Sequence, residues 1–152
     1  MVVISNSSPL IALTHIGRLE IRYKLHAQVL IPPAVAKEVE PTVPTLPRWL
    51  VVHPLALGLK PDVVGGSIGP GEHEVISLGL ELRAERLILD EQPARRLANS
   101  LGLRVIGTVG LLLAAKERGF LTTIKPELDR LLEVRFFMDT ELYNRVIDQA
   151  GE

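Results

Sequence analysis

The chain has 152 residues, 47% of them hydrophobic, which is enough for one domain with its own core and too apolar for a disordered segment. Seventeen Lys and Arg stand against eighteen Asp and Glu, a formal net charge of -1, so the molecule has no global attraction for polyanions and any nucleic-acid contact needs a local patch. The absence of cysteine excludes disulfides and thiolate zinc sites and fits a reducing cytoplasm.

The N-terminus lacks a basic region followed by a long apolar run, so no signal peptide is expected, and the Asn6-Ser7-Ser8 match to a glycosylation sequon is read as chance. Residues 2–4 form a short apolar run that reads as a buried strand, with Asn6 just past its end. Ser8-Pro9 then opens a helix, with Gly17 as its stop. Residues 29–31 read as a second strand, and Pro32-Pro33 opens a helix that carries Val35, Glu38 and Val39. Residues 41–47 form a Pro-rich loop, and residues 50–52 a third strand.

Residues 58–71 are Gly-rich and irregular. The run from Gly65 to Gly71 invites a phosphate-loop reading, but it lacks the Gly-Lys-Ser/Thr ending and follows no strand directly. Gly69-Pro70-Gly71 precedes a helix with Glu72 in its first turn and Val75, Ile76, Gly79 and Leu80 along one face. Residues 87–89 read as a fourth strand, with Asp90 directly after it. Ala94, Leu97, Ala98 and Leu101 then make a helical stripe ended by Gly102. Residues 105–106 read as a fifth strand, and the apolar stretch to Ala115 as its buried helix, well short of the ~20 residues of a membrane span. A last helix carries Leu142, Val146, Ile147 and Ala150. Continuous rather than alternating apolar strands, separated by helices, predict one doubly wound α/β domain over residues 1–152 with a short parallel sheet between helical layers.

In such a fold ligands bind outside the carboxyl ends of the strands, where Asn6 and Asp90 would lie. Carboxylates gathered there repel one another unless a cation joins them, so the pattern suggests a divalent-metal site. Each residue also has a plain alternative. Asn6 is either an oxygen ligand or a helix cap, and Ser7 is the competing cap. Glu38 is either a site acid beside the apolar face of its helix or an exposed helix acid, with Glu40 a weaker rival. Glu72 is either a ligand or an acid favoured by the helix dipole. Asp90 is either a ligand or the cap of the helix containing Pro93, and Glu91 could add a further oxygen. Arg95 is expected to reach a phosphate, whereas Arg96 reads as a solvated face. His15, His26 and His53 have no zinc-site spacing. Arg135-Phe136-Phe137-Met138 is either core or a dimer surface.

Several segments together resemble the PIN-domain nucleases, and within them a PIN-like subfamily of nucleic-acid-binding proteins related to toxin–antitoxin ribonucleases. They are the run from Val3 to Leu13, Ile16-Gly17-Arg18-Leu19, Ile31-Pro32-Pro33-Ala34-Val35 with Glu38, Gly69-Pro70-Gly71-Glu72, Leu89-Asp90-Glu91 with Ala94-Arg95, and Gly107-Thr108-Val109-Gly110 with Ala115-Lys116. The resemblance implies a three-layer, Rossmann-like α/β/α sandwich and cleavage of RNA with Mg²⁺ or Mn²⁺ held by acids. It also implies a small antitoxin as partner, a homodimer and no membrane association. Carried over by position, the catalytic and metal-binding set is Asn6, Glu38, Glu72 and Asp90, with Glu91 as an outer ligand. Ser7 and Arg95 are expected to contact nucleic acid. The position of Asn6 is usually Asp in these nucleases. Asn keeps a carbonyl ligand but removes a charge, which should weaken cation binding and the activation of water. The alternative is therefore a weakened module that binds RNA or a protein partner without cleavage. A phosphoacceptor receiver domain would want an acidic pair after the first strand, which Asn6-Ser7 does not supply.

Overall fold

Short strands of Val, Ile and Leu gain stability only when both faces are covered, and the alternation of strand and helix provides that cover. The computed structural model describes residues 1–60, 63 and 68–152. The elements are β1 (Val3–Ser5), α1 (Ser7–His15), α2 (Glu20–Leu25), β2 (Val29–Ile31), α3 (Pro33–Val39), β3 (Leu50–Val52), α4 (Pro70–Leu82), β4 (Arg86–Ile88), α5 (Gln92–Ser100), β5 (Val105–Ile106), α6 (Thr108–Glu117), α7 (Lys125–Glu133) and α8 (Thr140–Gln149). The strands pair in parallel in the order β3-β2-β1-β4-β5, with Ile4 beside Leu30 and Leu87. The order reverses between β1 and β4, which makes their carboxyl ends the topological switch point.

The pleat sends successive side chains to opposite faces. Val3 and Ile88 enter one core with Leu13, Ile21, Leu111 and Leu128, covered by α2, α6, α7 and α8. Ile4, Leu87 and Leu89 enter the other with Val35, Val75 and Ala98, covered by α3, α4 and α5. The expected three-layer sandwich is what the chain forms. β1 and β4 lie one residue from their expected bounds, and α2 and α7 are additional to the helices read from the sequence. Within the Gly-rich stretch, residues 61–62 and 64–67 lie outside the described residues, and with them part of the run weighed as a phosphate loop; Gly69-Pro70-Gly71 opens α4.

α4 sits close on the sheet because Gly79 has no side chain: a Cβ there would meet Leu87 Cδ2 at 2.9 Å. That approach fixes the height of Glu72 at the helix start. No helix among the described residues is long and apolar enough to cross a membrane.

Candidate functional site

Asn6 caps α1 only with its backbone, in extended conformation, and its side chain makes no capping bond. Its N–H instead donates to Ile88 O at 3.0 Å, which ties the end of β1 to β4. The side chain is 3% exposed, and Oδ1 is buried without a partner. An unpaired buried carbonyl costs about 1–3 kcal/mol, so this oxygen is a vacant acceptor at the switch point.

Asp90 is held differently. Its Oδ1 accepts from Thr108 N and its Oδ2 from Thr108 Oγ1, both at 2.7 Å. Asp90 therefore serves the start of α6, not α5, whose N-cap is Glu91. Each carboxylate oxygen still has a free lone pair after these bonds. Arg95 Nη1 donates to Leu89 O at 2.9 Å, and a Cβ at Gly107 would meet both that nitrogen and Asp90 Oδ1. Gly107 thus leaves room for Arg95 and Asp90 to stand side by side. Arg96 is exposed, as expected.

Glu38 and Glu72 come from α3 and α4, which pack on each other. Ser7 Oγ donates a short bond to Glu38 Oε2, so the hydroxyl expected at nucleic acid is engaged with a candidate acid. Gly71 leaves space for that carboxylate, because a Cβ there would collide with Glu38 Oε1. Glu72 Oε1 accepts from Gly69 N at 3.0 Å, the role that its place in the first helical turn favours, and its second oxygen remains free of that bond. The neighbouring Glu74 is taken by Ala34 N at 3.0 Å and joins α4 to α3.

The acids oppose one another's ionisation. Burial pushes the Glu72 carboxyl up, against the pull of the Gly69 N–H, and the charges of Glu91 and Glu38 add to the rise. Burial also pushes Asp90 up, against the Thr108 bonds and the Arg95 charge, and Glu91 adds to it. Glu91 is the shared neighbour of the two. Among the described residues no three of His, Asp and Glu are grouped as an all-protein metal cage requires. Mg²⁺ rarely uses such a cage, and usually keeps several waters beside one or two carboxylates. The vacant Asn6 carbonyl and the partly free carboxylates are hard oxygen donors, which fits Mg²⁺ or Mn²⁺ by chemistry.

A second charged group lies just beneath. Arg22, on α2, is wholly buried, and its Nη1 donates to Ser5 Oγ at 3.2 Å while Nε and Nη2 have no partner. Burial lowers its pKa to about 9, and the charge of Asp90 opposes that fall. His26 is held neutral, with its pKa lowered to about 4 by burial and by the charges of Arg22, Arg86 and Arg118. His15 is exposed, and His53 Nδ1 lies 2.8 Å from Pro54 O.

Thr108, Gly71 and Gly107 are the residues that sequence reasoning did not single out for roles at the site. The available signal was local: a Thr directly after Gly107, opening the helix that follows a strand.

No curated protein matches the sequence. A solved structure, that of a PilT N-terminus domain protein from the hyperthermophilic archaeon Sulfolobus solfataricus P2, superposes with a TM-score of 0.56 at 18% identity, over 76% of this chain and 93% of that one. That likeness speaks for the fold. A family model described as a PIN domain, DUF3368, spans residues 2–152, and with nearly the whole chain inside that match the protein belongs to the PIN-domain family.

Proposed function

We propose that this chain is a Mg²⁺- or Mn²⁺-dependent endoribonuclease acting at the crevice between β1 and β4. The observation that carries this reading is the pair at the switch point: Asn6, with its buried vacant oxygen, and Asp90, oriented by two bonds from Thr108. Asn6 Oδ1 and Asp90 would hold the cation, with Glu38, Glu72 and Glu91 as further oxygen donors. When bound, the ion would neutralise phosphate charge and make a water more acidic. The protein's own part is orientation and proton handling. Thr108 fixes the Asp90 carboxylate and Ser7 fixes Glu38. Arg95, beside Asp90, suits a phosphate oxygen of the RNA. Glu72 keeps one oxygen outside its bond to Gly69 and has its pKa raised, which suits it to accept the proton of the attacking water. The water oxygen bonds to phosphorus as the bond to the leaving sugar oxygen breaks.

The reading extends to a cytoplasmic toxin of a toxin–antitoxin pair, acting as a homodimer and restrained by a small antitoxin. A short neighbouring reading frame for a DNA-binding protein, whose co-expression restores growth, would support that role. Growth unaffected by expression of this chain alone would remove it.

The test of the core reading is cleavage of single-stranded RNA by wild type, Asn6→Asp and Asp90→Ala under matched Mn²⁺. Slow cleavage by wild type, a gain in Asn6→Asp and none in Asp90→Ala are expected. Equal cleavage in all three would mark a contaminant and defeat the reading. The second reading, a module that binds without cutting, draws on the missing charge at Asn6 and on the lack of a three-acid cage among the described residues. Under that reading Asn6→Asp binds metal more tightly yet cleaves nothing.

A further inference from the structure

Asp90 lines a cavity of about 1070 Å³. Asp90, Glu91 and Arg95 share its lining with Arg135, Phe137 and Arg145. Ligand pockets for single small molecules run to about 300–1,000 Å³, so this space is a trough with room for more than the reacting phosphate.

Part of its wall is the chain that leaves α7. Phe136 is half-buried against the core, Met138 is buried, and Phe137 between them is 89% exposed. An aromatic ring left almost entirely in water between two anchored neighbours is held outward by the packing on either side of it. The turn that sets this up is unusual. Arg135 N donates to Leu132 O and Phe136 N to Leu131 O, the paired closure that ends many helices. The residue at its left-handed position is normally Gly, yet here it is Arg135, with φ 65°. A non-glycine residue there costs roughly 1 kcal/mol or more. Arg135, Arg145 and Arg95 form no ion pair among the described residues. Of the acids nearby, Asp139 is occupied in capping α8 through Leu142 N.

We propose that Phe137 is a stacking platform for a base of single-stranded RNA, with Arg135 and Arg145 on the phosphates beside it, so that the strand is positioned along the trough toward Asp90. This rests on the ribonuclease reading above and deepens it. A base stacks on an aromatic ring without regard to its identity, so the subsite selects unpaired strand rather than sequence. A paired duplex keeps its bases inside the stack and cannot use Phe137. An exposed Phe beside Arg also suits protein contacts. Continuity of the trough with Asp90 favours the nucleic acid.

The test is binding of a labelled single-stranded oligoribonucleotide, read by anisotropy in Ca²⁺, which is chosen to allow binding without cleavage. Wild type, Phe137→Leu, Phe137→Trp and Arg135→Gly are compared, each with an intact and an abasic strand. Phe137→Leu should lose roughly 10-fold in affinity for the intact strand, and Phe137→Trp should keep it. Wild type should bind the abasic strand about as weakly as Phe137→Leu does. Arg135→Gly should melt higher than wild type yet bind RNA less tightly, a combination that a purely structural role does not give. Melting of Phe137→Leu should match wild type, and a fall of several degrees would mean a packed ring and overturn the proposal. Unchanged RNA binding in Phe137→Leu would also overturn it, as would loss of a dimer in that variant with RNA binding intact. If wild type binds no single-stranded RNA, the ribonuclease reading fails and the subsite with it. If wild type binds and Phe137→Leu binds equally, the subsite alone fails.

Discussion

Ser5 and Asn6 are consecutive residues at the end of β1, and the pleat turns them toward two regions of opposite character. The Asn6 oxygen is buried and vacant, and past the end of the neighbouring strand Asp90 lines the trough. Ser5 faces α2, where the guanidinium of Arg22 is sealed in the core with a single bond and His26 is kept neutral beside it. Both regions break the rule that buried polar groups find partners. At Asn6 the unmet demand is for a donor or a positive charge, and Asp90 past the end of the neighbouring strand lines a cavity. Under α2 the unmet demand is for negative charge and is enclosed. It is partly answered at a distance by Asp90, whose charge favours ionised Arg22. An orphaned polar atom alone does not point to a ligand; what separates the two regions is the cavity that Asp90 lines and that Arg22 and His26 do not. The two regions should answer mutation and pH in opposite ways.

The largest effect should fall on the crevice. Asp90→Ala is expected to lower RNA cleavage roughly 100-fold or more, since even residues that only support a metal ligand cost 10–100-fold when lost. Cleavage in single-turnover assays with Mn²⁺ measures it. Arg22→Met should leave cleavage within a few-fold and raise stability instead. Replacing a buried, poorly compensated charge by a well-packed apolar chain of similar size stabilises by about 1–4 kcal/mol. At about 2–4 °C per kcal/mol for a chain of this length, the melting temperature should rise measurably. A fall in melting temperature for Arg22→Met would mean that the guanidinium is better satisfied than its single bond to Ser5 implies, and the contrast between the two regions would collapse.

Next in size is the pH response under α2. The His26 pKa falls from its ordinary 6.5 to about 4 in the folded protein, so between those values the unfolded state binds more protons. The contribution of neutral His26 is therefore present in full above pH 6.5 and is lost as pH falls toward 4, by about 3 kcal/mol at most. Urea unfolding across that window should show the loss in wild type and a shallower slope in His26→Leu. Parallel slopes would mean that other groups carry the acid sensitivity.

What the sequence made legible follows from distance along the chain. The strands and the helices after Pro9, Pro33, Pro70 and Asp90 were readable because apolar period and breaker residues are local signals. α2 was not, because its six residues carry Arg22 on the buried face, where an apolar residue would have completed the pattern. α7 buries Leu128 and Leu131 but also Glu127, which is held by Arg18 and Arg130, so its stripe reads as interrupted. Strand-end positions singled out Asn6 and Asp90 as candidates. The partners of Asp90 and Ser7 lie far away in sequence: Thr108 is 18 residues from Asp90, and Glu38 is 31 residues from Ser7. Nothing local says that Asp90 turns to α6 rather than α5, or that Ser7 spends its hydroxyl on Glu38.

The smallest effect is the one that ties the crevice to a cation. In Asp90 the folded pKa lies above the ordinary value, chiefly through burial. A carboxyl so shifted favours the fold while protonated and loses that contribution as pH rises through its folded pKa, so at neutral pH its charge is a liability. Asp90→Asn removes the charge and keeps an oxygen for Thr108, so the metal-free variant should melt above wild type. A bound cation relieves the same repulsion by another route. At a free concentration ten times the dissociation constant, linkage gives about 1.4 kcal/mol, or roughly 3–5 °C. Wild type should therefore gain a few degrees in millimolar Mn²⁺, and Asp90→Asn should gain less from a higher starting point. His26→Leu should gain as much as wild type, because its charge problem has no access to the ion. Melting indifferent to Mn²⁺ in all three would leave the acids without the cation that the ribonuclease reading requires. An equal gain in Asp90→Asn would move the cation away from β4, toward Glu38 and Glu72.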